Sequence, residues 1–350
     1  MKNKKLDIII IGAGLSGLCL AYFLKGQNYR IKILEGRSRI GGRILTTFEK
    51  ETSIEMGATW LSPQHTELQK LLKELGLEVF EQELGKTAIY EPISNNPHQV
   101  VALPTHQEPS YRIKGGTFSL IQTLEKDMGD VELELDCIVN SIEQKAEGLL
   151  VNTNQGNFKA IKVVSTLPPF LFQNNIKISP ELPLTFMDIA QKTHTWMGES
   201  IKIGLSYTKP FWKEKGLSGT IFSNPGPIPE MYDHSNAEHS KFALKGFLNG
   251  AYFSITKEQR LELILDQLEK YYGPQVREYL DYQELIWQKE SLTFTPYNDQ
   301  LFPHQNNGNE VFRKTYLNNN LIISGTETSE LFPGYMEGAV RSAQWVVKRL

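Results

Sequence analysis

Three glycines, Gly12, Gly14 and Gly17, stand in the spacing Gly-x-Gly-x-x-Gly directly after the apolar run "LDIIII". That spacing gives a tight turn, a backbone that a pyrophosphate can approach, and close packing of helix on strand. A helix beginning there, through Ser16, offers free N–H groups and a partial positive charge to phosphate oxygens. Glu35 ends the next strand-like run, "YRIKILE", 18 residues beyond Gly17. An acidic side chain at that point accepts hydrogen bonds from a ribose diol. These residues predict a bound dinucleotide and leave NAD and FAD both open. A second basic, glycine-rich element, "LEGRSRIGGR", then sets Arg37 and Arg43 around Gly41 and Gly42. An NAD site has no need of it, whereas a flavin cofactor with an extended pyrophosphate can use it.

Other candidates are single residues. Lys202 lies in "ESIKIGLSY", where alternation puts Ile201, Ile203 and Leu205 on one face and Lys202, Gly204 and Ser206 on the other. Pattern alone makes Lys202 a solvated lysine. Tyr335 stands between Gly334 and Gly338 in "PGYMEG", at a helix start stripped of bulk by these glycines and Ala339. Tyr297 follows Trp287 by ten positions, in "TFTPYND". Taken alone, each tyrosine reads as a core residue with a hydrogen-bonded tip. The seven histidines show no HExxH or CxxC companion, so no metal is expected. Ser16 and Ser324 sit in glycine-flanked turns that do not make G-x-S-x-G. His234 and His239 share a polar loop and read as solvated.

The elements that must position these groups follow from periodicity. "LDIIIIG" is a strand buried on both faces, "LSGLCLAYFLKGQN" a helix and "YRIKILEG" a second strand, which makes a β-α-β unit. "HTELQKLLKELG" has Leu68, Leu71, Leu72 and Leu75 on one helical face, with Gly76 as its stop. Residues 92–110 read as a loop or short hairpin. A helix in "GGTFSLIQTLEKDMG" precedes strands in "VELELDCIVNSIEQ", "GLLVNTN" and "GNFKAIKVVST". Residues 213–240 read as loop, and "KEQRLELILDQLEKYYG" as a helix. "NNLIISGTE" is a buried strand followed by the helix at Met336. Both ends of the chain share a strand–glycine–helix grammar, so the nucleotide-binding unit is expected to draw on both.

With 350 residues, 40% hydrophobic and 22% charged, the chain is an ordinary globular sequence of two-domain size. A net charge of −3 gives no reason to expect nucleic acid or an anionic membrane as partner. Cys19 and Cys137 lie in apolar segments and read as buried free thiols, which suits a cytoplasmic location. No stretch is long and apolar enough for a membrane span.

"GAGLSGL", "LEGRSRIGGR" and "EMGATW" resemble the N-terminal signature of flavin-dependent amine oxidases, most of all monoamine oxidases. The likeness continues through "GGTFSLIQTL", "VVSTLPP", "SIKIGLSYTKPFW" and "LIISGTETSELFPGYMEGAVRSA", over nearly the whole chain. The resemblance implies an α/β fold. Residues 1–80, 111–191 and 291–350 would form a Rossmann-like FAD domain, and 81–110 and 192–290 a substrate domain on a mixed or antiparallel sheet. It implies that Glu35 holds the adenosine ribose, Arg43 the pyrophosphate and Val139 the adenine. Gly57, Ala58, Thr59 and Trp60 would line the flavin, and Gly325, Thr326 and Glu327 its ribityl end. Lys202 would sit beside flavin N5, with Gly204 leaving space for the ring. Tyr297 and Tyr335 would be two near-parallel walls of an aromatic cage that steers the amine. Gly334, Gly338 and Ala339 would let the ring approach the last helix, and the helix start at Met336 would stabilise negative charge on the reduced flavin.

Two departures stand out. The position that carries a flavin-linking cysteine in animal monoamine oxidases is Pro296, which implies non-covalent FAD. Relatives have a long helical insertion where residues 91–111 form a short segment, and a membrane tail that this chain lacks. That leaves the substrate site open or closed by a partner subunit, as in a homo-oligomer. The expected activity is oxidation of an amine by oxygen. The alternatives are desaturation of a non-amine and a flavin-binding protein without turnover.

Overall fold

The initial apolar run becomes a strand, Leu6–Ile11, because Ile8 to Ile11 are covered on both faces. The computed structural model describes residues 5–49, 52–93, 96–104 and 108–350. Two neighbours, Ile31–Leu34 and the second half of Gly156–Ser165, run parallel to this strand. Gly156–Ser165 changes partners along its length. Its first half pairs antiparallel with Gly148–Thr153, and its last three residues pair parallel with Leu321–Ile323. Burial follows suit, alternating early and continuous at Val163, Val164 and Ser165. The resulting nine-stranded sheet is mixed, because the meander Val139–Ala160 is antiparallel.

Helix Leu15–Phe23 is buried without a break from Leu15 to Ala21, since Phe118–Asp127 and Met336–Val347 both pack on it. The last helix also reaches Thr66–Glu74, which lacks a side-chain N-cap of its own. The Glu337 carboxylate accepts the N–H of Glu67 at 3.1 Å and of Leu68 at 2.7 Å. A side chain from a distant helix thus satisfies donors that an N-cap residue would ordinarily meet.

The second sheet has seven strands: Asp281–Ile286, Ile201–Tyr207, Phe242–Leu248, Glu230–Asp233, Ile221–Ser223, Thr87–Glu91 and Gln99–Ala102, in that order. Helix Lys257–Tyr272 covers one face, with Ile264, Leu265 and Leu268 against Ile203 and Leu205. The hairpin Thr46–Glu49 and Thr52–Glu55 approaches the other, where Ile54 and Met56 meet Ala243. All of Ile201–Tyr207 is therefore buried, not one face of it. Gly204 is small because a Cβ there would strike Ile54, so its bareness serves packing and not room for a ring.

Two further expectations change. Residues 213–240 contain the strands Ile221–Ser223 and Glu230–Asp233, joined by a proline-rich turn. His234 is buried and not solvated: its Nδ1 lies 2.9 Å from Arg112 Nη1, and its Nε2 accepts the Glu55 N–H. His239 is exposed. Cys19 and Cys137 are both buried free thiols. Among the described residues no helix is long and apolar enough to cross a membrane.

Candidate active site

A cavity of about 790 Å³ is lined from both sheets, an ordinary size for a cofactor or ligand site. The glycine turn builds one end. Gly12 has φ +101°, and a Cβ on it would stand 2.7 Å from Thr166 Oγ1. No L side chain fits that position comfortably. A side chain at Gly17 would collide with the Gly12 carbonyl, so Gly17 ties helix to strand and does not reach the cavity wall. Gly14, Ser16 and Gly42 do reach it, and a Cβ on Gly14 would meet nothing closer than Gly42 Cα, at 3.8 Å. Helix Leu15–Phe23 has no side-chain cap at Gly14, which leaves its first N–H groups for an anion.

Glu35 is pinned at this end. Its Oε2 accepts the Ala13 N–H at 2.7 Å and its Oε1 the Arg37 N–H at 2.9 Å. The Cys137 N–H donates to the Glu35 carbonyl, which brings Cys137, Ile138 and Val139 onto the adjoining wall. Arg37 reaches across to Thr293 at 2.7 Å and to Glu290 at 3.3 Å. Arg43 pairs with Glu327 through both terminal guanidinium nitrogens, at 2.5 and 2.9 Å, and donates to the Trp196 carbonyl at 3.2 Å. Burial opposes the Arg43 charge, but the buried carboxylate of Glu327 outweighs it and holds the arginine above its ordinary value. Arg43 and Thr326 face the cavity. Glu327 and Gly325 stand behind them, Gly325 donating its N–H to Ser342 Oγ at 3.0 Å.

The other end is built around Lys202. Gly57, Ala58, Thr59 and Trp60 follow the hairpin strand Thr52–Glu55 onto the wall. A side chain on Gly57 would collide with the Arg43 carbonyl. Lys202 Nζ donates to the Gly57 carbonyl and stands 5.3 Å from the Phe247 ring centre. Its side chain is buried, so alternation alone misreads it, and burial draws its ammonium down to about 8. Trp287 lines the same end and donates its indole N–H to the Met56 carbonyl at 2.9 Å.

Gly334, Tyr335, Met336 and Ala339 complete the wall. Gly334 has φ +89°, and a Cβ there would lie 2.9 Å from Trp196 Cβ, so this glycine admits the tryptophan. Helix Met336–Val347 has no side-chain cap at Tyr335 and is another uncapped helix start on the cavity.

Tyr297 departs from expectation, for it is not on the cavity wall. Its ring packs edge-on against Phe170 at 4.8 Å and Phe294 at 5.4 Å. Its hydroxyl accepts the Thr195 N–H at 2.9 Å, and burial pushes the phenol up to about 12. Two anchors, an aromatic pocket and a backbone donor, hold it away. The ring stacked on Tyr335 is His304, at 5.8 Å and 16°, which in turn stacks on Trp196 at 3.8 Å. Trp196 lines the cavity with its ring centre 5.9 Å from that of Tyr335. Sequence reasoning misses Trp196, Met197, Glu230 and Phe247 on this wall. Phe247 alone had a signal, since it alternates with Lys245 in "ALKGFL".

The sequence profile described as flavin containing amine oxidoreductase matches residues 15–106 and 98–350. The chain belongs to that family. Among its amine oxidoreductase relatives is a probable flavin-containing monoamine oxidase A of Dictyostelium discoideum, 24% identical over 98% of this chain and 97% of the relative. Putrescine oxidase of Kocuria rosea is 24% identical over 82% of this chain and 83% of its own. Human flavin-containing amine oxidase B is 23% identical over 99% and 86%. In fold, the chain is similar to putrescine oxidase bound to putrescine, with a TM-score of 0.85 over 99% of this chain and 98% of the other at 22% identity. Cyclohexylamine oxidase from Brevibacterium oxydans gives 0.83 over 97% of each at 21% identity.

Proposed function

We propose that this protein oxidises an amine with FAD held non-covalently in the cavity. The observation that carries the reading is one continuous wall with an anion-binding helix start and Glu35 at one end and the buried Lys202 at the other. The residues fit the cofactor: Gly14 and Gly42 leave the backbone open, Arg43 supplies positive charge, and Glu35 suits a ribose diol. Cys137 lies at the Glu35 end and Cys19 inside a helix core, so neither is near the Lys202 end where a flavin ring would sit. Two reduced thiols also suit a cytoplasmic setting.

Bound FAD supplies a hydride acceptor for the amine's α-carbon and passes the electrons to oxygen, giving hydrogen peroxide. The protein's part is positioning. Tyr335 and Trp196 form the aromatic side of the amine's slot, and Phe247 and Trp60 the facing side. Lys202 keeps a donor at the ring end, and the uncapped start of Met336–Val347 favours negative charge on the wall. The imine product hydrolyses to an aldehyde and ammonia or a smaller amine. Residues 1–80, 111–191 and 291–350 serve the cofactor, and 81–110 and 192–290 the substrate, in keeping with the division of strands between the two sheets.

The test is anaerobic titration of the holoenzyme with primary, secondary and diamines, following loss of oxidised-flavin absorbance. Bleaching by one class establishes the half-reaction. Bleaching by dithionite and by no amine overturns it.

A further inference from the structure

Three residues that line or back the aromatic wall hold a left-handed backbone. They are Met197, next to Trp196, with φ +61°, His304 with φ +61° and Phe332 with φ +52°. Residues other than glycine rarely adopt it, and strain of this kind persists only where the surroundings over-determine it. The Phe332 carbonyl accepts the Tyr335 N–H at 3.2 Å. His304 belongs to a loop stitched to both chain segments that carry the wall. At one end the Lys192 carbonyl accepts the side-chain amides of Gln305 and Asn306, at 3.2 and 2.9 Å. At the other the Gly308 N–H donates to the Glu327 carbonyl at 2.7 Å.

His304 itself is not on the cavity wall. Its ring stacks on that of Trp196 at 3.8 Å and 23°, and on that of Tyr335 at 5.8 Å and 16°, while the two wall rings are 5.9 Å apart. The imidazole therefore lies behind the seam between them. Its edge meets Asn307, whose Nδ2 is 3.4 Å from His304 Nδ1, and the His304 backbone N–H donates to His194 Nδ1 at 3.3 Å. Tyr335 has a second support in His65, with ring centres 5.8 Å apart. Among the described residues no other ring stacks on Trp196 as closely, and His194 is edge-on at 6.3 Å. Gly334 leaves room for both rings: a Cβ there would lie 2.9 Å from Trp196 Cβ and 3.2 Å from His304 Cε1.

We propose that His304 is a positioning residue for Trp196, fixing the aromatic wall and so setting how bulky an amine the slot admits. The proposal rests on the amine-slot reading above. It gives to a histidine of the 302–308 loop the part that the family resemblance implies for Tyr297. Without the imidazole a space opens behind Trp196, because close-packed surroundings collapse only in part. The indole then tips into that space and the slot widens on that side. His304 makes and breaks no bond in the reaction.

The test reads selectivity and not turnover alone, because a general loss of fold weakens all amines alike. The oxidised holoenzyme is titrated with tert-butylamine and with cumylamine, two amines of different bulk that both lack an α-hydrogen, and calorimetry gives each dissociation constant. His304→Asn keeps a residue that tolerates the left-handed turn and removes the ring. It is expected to shift the ratio of the two constants about tenfold in favour of the bulkier amine. His304→Phe supplies a ring again and should bring the ratio back towards wild type. In a Trp196→Ala background, His304→Asn should leave the ratio unchanged, since the residue it positions is gone. An unchanged ratio in His304→Asn, an equal shift with and without Trp196, or failure of both amines to bind the wild type overturns the proposal. If His304→Asn does not fold, Asn307→Ala frees the edge of the imidazole and is expected to shift the ratio in the same direction, and no shift there overturns the proposal equally. Amine bleaching of the wild type is scored separately. Bleaching with no change of ratio removes only the role of His304, and a change of ratio without bleaching removes only the oxidase reading.

Discussion

The Arg43–Glu327 pair joins the glycine-rich second turn to the strand–turn–helix that ends the chain. Glu327 is fully buried, while the Arg43 side chain retains 24% exposure. Removing one partner of such a pair costs about 3–5 kcal/mol, and the partial exposure puts Glu327→Gln near the lower end. Thermal unfolding and flavin content of the purified variant measure this, and flavin should be lost along with stability. Lys202 gives a pH prediction. Its folded value near 8 lies below its ordinary 10.5, so between those values the unfolded chain binds more protons and stability rises with pH. Denaturant titrations across that window should lose this rise in Lys202→Met. Reoxidation or reduction of the bound flavin should slow in the same variant. The two tyrosines should separate: Tyr335→Ala slows flavin reduction by amine, whereas Tyr297→Phe removes one hydrogen bond worth about 1 kcal/mol and leaves reduction nearly unchanged. Stopped-flow absorbance distinguishes them.

Among elements, the first turn is the least tolerant. A methyl group on Gly17 must push Leu15–Phe23 away from Leu6–Ile11, moving the N–H groups that face the cavity. Gly17→Ala is expected to weaken FAD retention by tenfold or more, about 1.4 kcal/mol, read by dialysis against free flavin. Elements were legible wherever the local run of residues itself announces the burial, as an unbroken apolar stretch or a helical period. The run at Ile8–Ile11 and the helix Lys257–Tyr272 with its Thr256–Gln259 capping box are of this kind. Ile201–Tyr207 was misread because its second face is covered by a hairpin 150 residues earlier, and no local alternation can announce that. Ile221–Ser223 and Glu230–Asp233 are too short, and too closely flanked by Pro225, Pro227 and Pro229, to carry a period of their own.

At the scale of the whole molecule, the Glu35 end of the cavity was legible and the Lys202 end only in part. Gly12, Gly14, Glu35 and Arg43 announce themselves by spacing along one stretch of chain. Lys202 and Phe247 reach the wall only because the second sheet is laid against Gly57–Trp60. That arrangement depends on distant packing and leaves no local trace. Because both sheets and both chain ends line the same cavity, ligand occupancy should stabilise the fold as one unit. FAD at a hundred times its dissociation constant is expected to add about 2.7 kcal/mol, seen as a concentration-dependent Tm.

Glu337 belongs to the cavity's last helix, yet its carboxylate caps Thr66–Glu74 near the other end of the chain. Until residues 336–347 emerge from the ribosome, helix 66–74 lacks its cap and helix 15–23 lacks one of the two helices that cover it. Flavin loading is therefore expected to wait until residues 336–347 have been made, and nascent chains stalled before Gly334 should stay colourless and protease-sensitive even in excess FAD.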